Sequence, residues 1–277
     1  MLIQQAIEKA KQQHRGAVPV AVGAPPARPV ETRIVEPPVR HPFPVVPTNI
    51  DALESTLLLD SRTDKAHAQA YDAYRILRTK LRHSAQTHGW SRFGVTSASQ
   101  GDGKSTTAAN LALSCAREGR HNIFLLDLDL RRPSLLKYFG VPAPKVSISH
   151  FLECGGEPGT LFFSPGVENL YMAGSAQRSE NSAELLSNSR LDVLLQYIAG
   201  IDPHALVIVD LPPLLSTADV LTVAPRLSAL LIVASESLTQ REDLAKAVVT
   251  IGETATPVAG IVLNRATEAN QGAYVYY

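Results

Sequence analysis

Six short apolar runs, at residues 92–96, 122–127, 169–172, 205–210, 229–234 and 258–263, are separated by stretches of helical length. This alternation constrains the fold more than any other feature of the chain. Runs so short and so uniformly apolar are strands buried on both faces, and a parallel sheet with helices packed against each side supplies that environment. The expected class is therefore α/β, a mostly parallel sheet with helices on both faces, in which ligands sit beyond the carboxyl ends of the strands. No repeat of the solenoid kind is present. With 277 residues, 45% of them hydrophobic, the chain holds enough core for one such domain once an unusual N-terminal stretch is set aside.

That stretch has two parts. Residues 1–15 (MLIQQAIEKAKQQHR) read as a short amphipathic helix with Leu2, Ile3, Ala6, Ile7 and Ala10 on one stripe, too short to stand alone. Residues 16–59 form a linker, and nine of the chain's 19 prolines fall within 17–47. A backbone so poor in donors favours polyproline II geometry and is expected to be a semi-rigid or disordered tether without packed structure. The pair reads either as a docking helix on a leash or as a terminus with no partner. The domain itself is expected over residues 60–267, followed by a tail at 268–277.

Lys plus Arg and Asp plus Glu both total 26, so no global basic field draws in nucleic acid or anionic lipid. The two cysteines, Cys115 and Cys154, fall in expected helices without metal-ligand spacing, which fits a reducing compartment. No apolar run approaches the roughly 18 residues of a membrane span, and no charged-then-apolar leader follows Met1. The chain is expected to be cytoplasmic, with any membrane contact made through a protein partner.

Directly after the first apolar run comes ASQGDGKS, at residues 98–105, and then a helical pattern. Gly101 and Gly103 let the backbone curl so that consecutive N–H groups face an anion, to which the helix start adds its partial positive charge. Lys104 would neutralise phosphate oxygens and Ser105 would offer a hydroxyl to Mg²⁺. The plainer alternative is an ordinary polar strand-to-helix turn. Asp127 and Asp129 close the run IFLLDLD, and side-chain alternation sends both carboxylates to one side with Leu128 opposite. Asp210 closes ALVIVD. Acids at the carboxyl ends of two strands beside such a turn would position a metal and its waters, and one would take a proton from an incoming hydroxyl. Helix capping, or pairing with Arg131 and Arg132, is the structural alternative for each acid.

Together these residues resemble the bacterial tyrosine kinases of polysaccharide assembly, the BY-kinases, over residues 64–277. ASQGDGKST is similar to that family's Walker A, IFLLDLDLRRP to its additional Walker A′ and VIVDLPP to its Walker B, an order of motifs that is specific. The resemblance implies a P-loop NTPase fold, ATP and Mg²⁺ as cofactors, and a protein-tyrosine kinase that autophosphorylates its C-terminal tyrosines and regulates exopolysaccharide polymerisation and export. It assigns catalysis to Lys104, Asp127, Asp129 and Asp210, and nucleotide binding to Gly101, Asp102, Gly103, Lys104, Ser105 and Thr106. Asn264 and Arg265 fall on the base side, and Ser105, Asp127 and Asp210 at the metal. The segment around Asn181, Glu184, Leu185 and Leu186 is similar to the family's Asn-Pro-x-Glu-Leu-Leu, with Ser182 in the proline position, a departure expected to relax a helix start and leave the chemistry untouched.

DAYRILR places Asp72, Arg75 and Arg78 where the family has a Glu-x-x-Arg-x-x-Arg helix used in ring-shaped self-association. Residues spaced by three share a helix face, and Asp72 is one methylene shorter than the family's glutamate. Tyr274, Tyr276 and Tyr277 resemble the C-terminal tyrosine cluster. The implied partners are a separate transmembrane polysaccharide copolymerase, further copies of the chain in a ring, and a tyrosine phosphatase. Two rivals remain. A nucleotide-switch ATPase of the partition or division-site type would show a second lysine near the turn, where Ser99 stands; a nucleotide-binding pseudokinase scaffold would be expected to have lost some of the acids.

Overall fold

In the computed structural model the described residues are 38, 40–46, 48 and 65–266. The expected helix at 1–15 and the tyrosine tail lie outside them. The chain enters through α1 (Lys65–His88) and continues through β1 (Arg92–Ser97), α2 (Lys104–Glu118) and β2 (Ile123–Asp127). Next come α3 (Leu135–Tyr138), α4 (Ile148–Cys154), β3 (Leu170–Ala173), α5 (Ser182–Ser187), α6 (Arg190–Ile201) and β4 (Leu206–Asp210). It closes with α7 (Asp219–Val223), β5 (Ala229–Ser235), α8 (Arg241–Gly252) and β6 (Val258–Asn264). The strands form one sheet in the order β3-β2-β4-β1-β5-β6, every neighbouring pair parallel.

Each apolar run read from the sequence is a strand, displaced by at most one residue at either end. Period-two alternation divides the core into two layers. Phe93, Val95, Ile123, Leu125, Ile208, Leu231 and Val233 face α1, α2 and α3. Phe124, Leu126, Val207, Val209, Leu230 and Ile232 face α4, α6, α7 and α8. Gly94 in the middle of β1 admits no substitute, because a Cβ there would lie 2.5 Å from Leu230 and 2.8 Å from Leu211. The helix α2 is bounded by left-handed glycines, Gly103 (φ 96°) before it and Gly119 (φ 68°) after it, the latter donating its N–H to Ala116 O. Glycine is the residue that tolerates both conformations.

The linker departs from expectation over residues 40–46, which are docked. Val46 N donates to Ser164 O and Ser164 N to Pro44 O, each at 2.9 Å, so this piece pairs through Ser164 with the segment whose Phe163 bridges to Met172 of β3. His41 N donates to the Tyr171 hydroxyl at 3.0 Å, and Phe43 enters an aromatic cluster, 5.2 Å from the Tyr171 ring and 5.3 Å from that of Phe162. Proline-rich composition reported poor self-association of the backbone, whereas His41 and Phe43 supply the side chains that anchor it elsewhere. At the opposite side of the sheet, β6 has no partner on its outer edge among the described residues, and Ile261 and Leu263 are exposed on it.

A half-buried phenylalanine ring removed from such a cluster costs about 1–3 kcal/mol. Phe43→Ala is therefore expected to lower the thermal midpoint by several degrees while leaving nucleotide affinity unchanged, measured by calorimetry and titration. An unaltered midpoint would show that the docked segment adds no stability.

Candidate functional site

Parallel pairing aligns three strand ends at one rim of the sheet. Asp127 stands directly opposite Asp210 in the β2–β4 register, and Val95 of β1 opposite Asp210 on its other side. The turn at residues 98–103 leaves β1 at this rim and delivers Lys104 at the start of α2. Gly101 and Gly103 both have left-handed φ, 90° and 96°, as the curled turn requires.

Two of the side chains that the resemblance assigns to the nucleotide brace the turn. The Asp102 carboxylate is fully buried and accepts from Ser99 N (3.0 Å) and from the Thr239 hydroxyl (2.7 Å). It has turned into the protein, so Asp102 has only its main chain to offer a phosphate. Asn264 at the end of β6 donates Nδ2 to Asp102 O at 2.9 Å. A Cβ on Gly103 would lie 2.0 Å from that same nitrogen. The turn is thus held from the β5–α8 connection and from β6. Each buried bond of this kind contributes on the order of 1 kcal/mol, and leaving the carboxylate unpaired costs more. Arg265, with φ 56°, lines the cleft beside the turn.

Lys104 lies at the centre of the charges. Its Nζ is 2.7 Å from Asp129 Oδ2, 3.6 Å from Asp210 Oδ1 and 3.1 Å from the Ser105 hydroxyl. Burial alone would lower the lysine's pKa, but Asp210, Asp129 and Asp127 outweigh it and hold the ammonium above its ordinary value. As alternation predicts, Leu128 is buried in the opposite layer. The two acids of IFLLDLD nevertheless differ in what they bind. Asp129 reaches the lysine, and its Oδ1 accepts from Arg132 N at 3.0 Å. Asp127 Oδ2 accepts from Ser134 N and Leu135 N, each at 2.9 Å, which makes it a cap for α3 as well as a member of the acidic group. Asp127 Oδ1 and both Asp210 oxygens are buried without a hydrogen-bond partner. Unmet carboxylate oxygens facing each other across two strands suit a hard cation, which completes its shell with water and phosphate oxygens. Above them opens a cleft of about 540 Å³, lined by the turn, Asp129, Arg131, Arg132, Pro212 and Pro213 among others.

The helix expected to mediate self-association splits its three residues. Asp72 and Arg75 are exposed and pair with each other at 3.3 Å. Arg78 is turned inward, donating to Ser114 O at 3.0 Å with Glu118 at 3.6 Å, and Arg82 also pairs with Glu118. These arginines bind α1 to α2, because the axis of α1 lies against that helix. Tyr274, Tyr276 and Tyr277 lie outside the described residues. Sequence reasoning overlooked Asp219. An acid at the start of an otherwise apolar segment reads as an ordinary cap, yet this carboxylate is fully buried and bonds Arg131 and Ser182.

A family profile described as ParA, NUBPL iron-transfer P-loop NTPase, matches residues 91–272. Tyrosine-protein kinase YwqD of Bacillus subtilis (strain 168) is 28% identical over 215 residues, covering 74% of this chain and 85% of that protein. Tyrosine-protein kinase CpsD of Streptococcus agalactiae is 24% identical over 232 residues, covering 83% and 96%. Among solved structures, the kinase domain of the Escherichia coli tyrosine kinase ETK superposes with a TM-score of 0.67 at 26% identity, covering 75% of this chain and 80% of that one.

Burial first, and then the charge of Asp210, push the Asp127 carboxyl up to about 8; burial also pushes Asp210 up to about 6 against the pull of Lys104. An acid whose pKa rises on folding subtracts stability as pH climbs past its unfolded value, and the loss is complete above the folded one. Asp127→Asn keeps an acceptor for Ser134 and Leu135 and removes the charge. The nucleotide-free variant should melt about 3–5 °C higher than wild type near pH 8.5, the gain shrinking toward pH 5. A lower midpoint at the alkaline end would mean that Lys104 already balances the acids.

Proposed function

We propose, for a chain that belongs to the ParA family of P-loop NTPases, that it transfers the γ-phosphoryl group of ATP to protein tyrosines, its own C-terminal ones included. The observation that carries this reading is the ion pair of 2.7 Å between Lys104 and Asp129 within an otherwise acidic strand-end cluster. A lysine that grips phosphate and an acid suited to take a proton are held against each other before substrate arrives. The tyrosine-kinase relatives, which match most of the chain, support the choice of acceptor.

The turn's main chain from Gly101 to Thr106 and the Lys104 ammonium would bind the triphosphate. Ser105, Asp127 and Asp210 would hold Mg²⁺, directly or through water. When bound, that ion neutralises phosphate charge and draws the terminal group into line. As Lys104 turns to the phosphates it releases Asp129. A tyrosine phenol, with pKa near 10, is protonated at neutral pH; Asp129 accepts its proton as the phenolic oxygen forms the new P–O bond and the bond to ADP breaks. Asn264 and Asp102 serve by holding the turn in shape.

The switch-ATPase reading lacks support at Ser99, whose N–H is occupied by Asp102. No helix among the described residues is long and apolar enough to cross a membrane. A place at the inner face of the plasma membrane would come from a transmembrane polysaccharide copolymerase that activates the chain, with a tyrosine phosphatase reversing the modification. Regulation of exopolysaccharide polymerisation and export follows from that pairing.

Incubated with Mg·ATP and an activating partner, the wild-type protein should gain phosphotyrosine at Tyr274, Tyr276 or Tyr277 by mass spectrometry, and Lys104→Met should reduce the gain at least about 100-fold. Release of inorganic phosphate with no phosphotyrosine would favour the switch ATPase.

Self-association through α1 is proposed for Asp72 and Arg75, the pair left facing solvent. Arg75→Ala should lower the assembly mass in light scattering with the melting temperature unchanged. Arg78→Ala should instead lower the melting temperature, since it removes a contact within one copy; an unchanged mass for Arg75→Ala would take this face out of the assembly.

A further inference from the structure

Asp219, at the first position of α7, is a fully buried carboxylate that no nucleotide motif above includes. Its Oδ2 accepts from the Ser182 hydroxyl at 2.7 Å and from Arg131 Nε at 3.2 Å. Its own N–H is held by the Thr217 hydroxyl at 3.0 Å. The pair with Arg131 is lopsided, for the acid's side chain is 0% exposed and the arginine's 47%. An isolated carboxylate is not buried without cost. Here the ion pair and the serine hydroxyl offset part of that cost at Oδ2, while Oδ1 is buried without a hydrogen-bond partner among the described residues.

Arg131 follows Asp129 by two residues and lines the cleft with it and with Lys104. A guanidinium carries five N–H donors in a rigid plane. Asp219 engages the one on Nε, and the four on the two terminal nitrogens bond no other group among the described residues. Tethering an arginine at Nε removes most of its rotational freedom and leaves the flat, forked end free for an anion with oxygens in a plane. Ser182 contributes a second hold on the same carboxylate oxygen, and it stands where the resemblance led to a proline, which has no hydroxyl. A proline there would leave Asp219 without this bond.

We propose that Asp219 is a positioning residue, steadied by Ser182, that aims the free end of Arg131 at the terminal phosphate in the cleft. Arg131 then binds the γ-phosphoryl oxygens and follows their charge through transfer, while Asp219 touches neither substrate. Three segments distant in sequence, the loop after β2, the start of α5 and the start of α7, meet in this relay. The inference rests on the phosphoryl-transfer reading given above.

Calorimetric titration of Mg·ATP and Mg·ADP into the full chain tests it. Wild type should bind ATP more tightly than ADP, and Asp219→Asn should reduce that preference about tenfold while the ADP dissociation constant moves less than about twofold. Arg131→Ala should lose the preference outright. The double variant should match Arg131→Ala alone, because a residue acting through another adds nothing once that other is gone. In single-turnover transfer, Asp219→Asn should slow the chemical step about 10–100-fold. Ser182→Ala guards against misfolding of the Asp219 variant. It should melt within about 2 °C of wild type and reduce the ATP preference about two- to threefold in the same direction. Equal ATP and ADP binding by wild type, an unchanged preference in both the Asp219 and Ser182 variants, or independent effects in the double variant would overturn the proposal. Failure of wild type to bind either nucleotide would defeat the phosphoryl-transfer reading itself.

Discussion

Side-by-side parallel pairing of β2, β4 and β1 decides where the acids of the cleft can stand. With Asp127 level with Asp210 and Val95 beside it, the carboxyl ends of three strands open at one height. Two acids and the anion-binding turn share that opening because the register permits nothing else. A slip of one residue would turn Asp127 into the layer that holds Phe124 and Leu126. The two apolar layers are therefore what keep the carboxylates at the rim, and the cost of that arrangement is carried by the hydrophobic core.

The rim is electrostatically unsettled without substrate. Three carboxylates share a single ammonium, and two of the acids sit above their ordinary pKa because water is excluded from them. Sites of this kind trade stability for chemistry. A divalent cation and a polyphosphate would bring the complementary charges, and binding them would also stabilise the fold.

The strands and their ends were readable from apolar run length alone, and the turn from two glycines and a lysine in sequence. These features are local. What escaped was set by contacts between distant segments. Asp102 looked like a member of the phosphate cradle, but Thr239, more than a hundred residues later, draws its carboxylate inward. Arg78 shared a face with Arg75 by periodicity, yet the packing of α1 on α2 claimed it for Ser114 and Glu118. Residues 40–46 were obscured by proline content, since composition describes how a segment treats itself and is silent on the aromatic cluster that receives Phe43. Asp219 was hidden because its two partners lie 37 and 88 residues away.

The two borders of the sheet are unequal. Beyond β3 the pairing ends at the docked 44–46 segment, where Pro42 and Pro44 bring no N–H groups of their own. Among the described residues, β6 has no outer neighbour and carries Ile261 and Leu263 exposed on it. Of the edges that these residues form, β6 is the one open to a strand from another molecule. Two copies meeting there would satisfy each other and stop, a closed two-fold pair in place of an extending fibre.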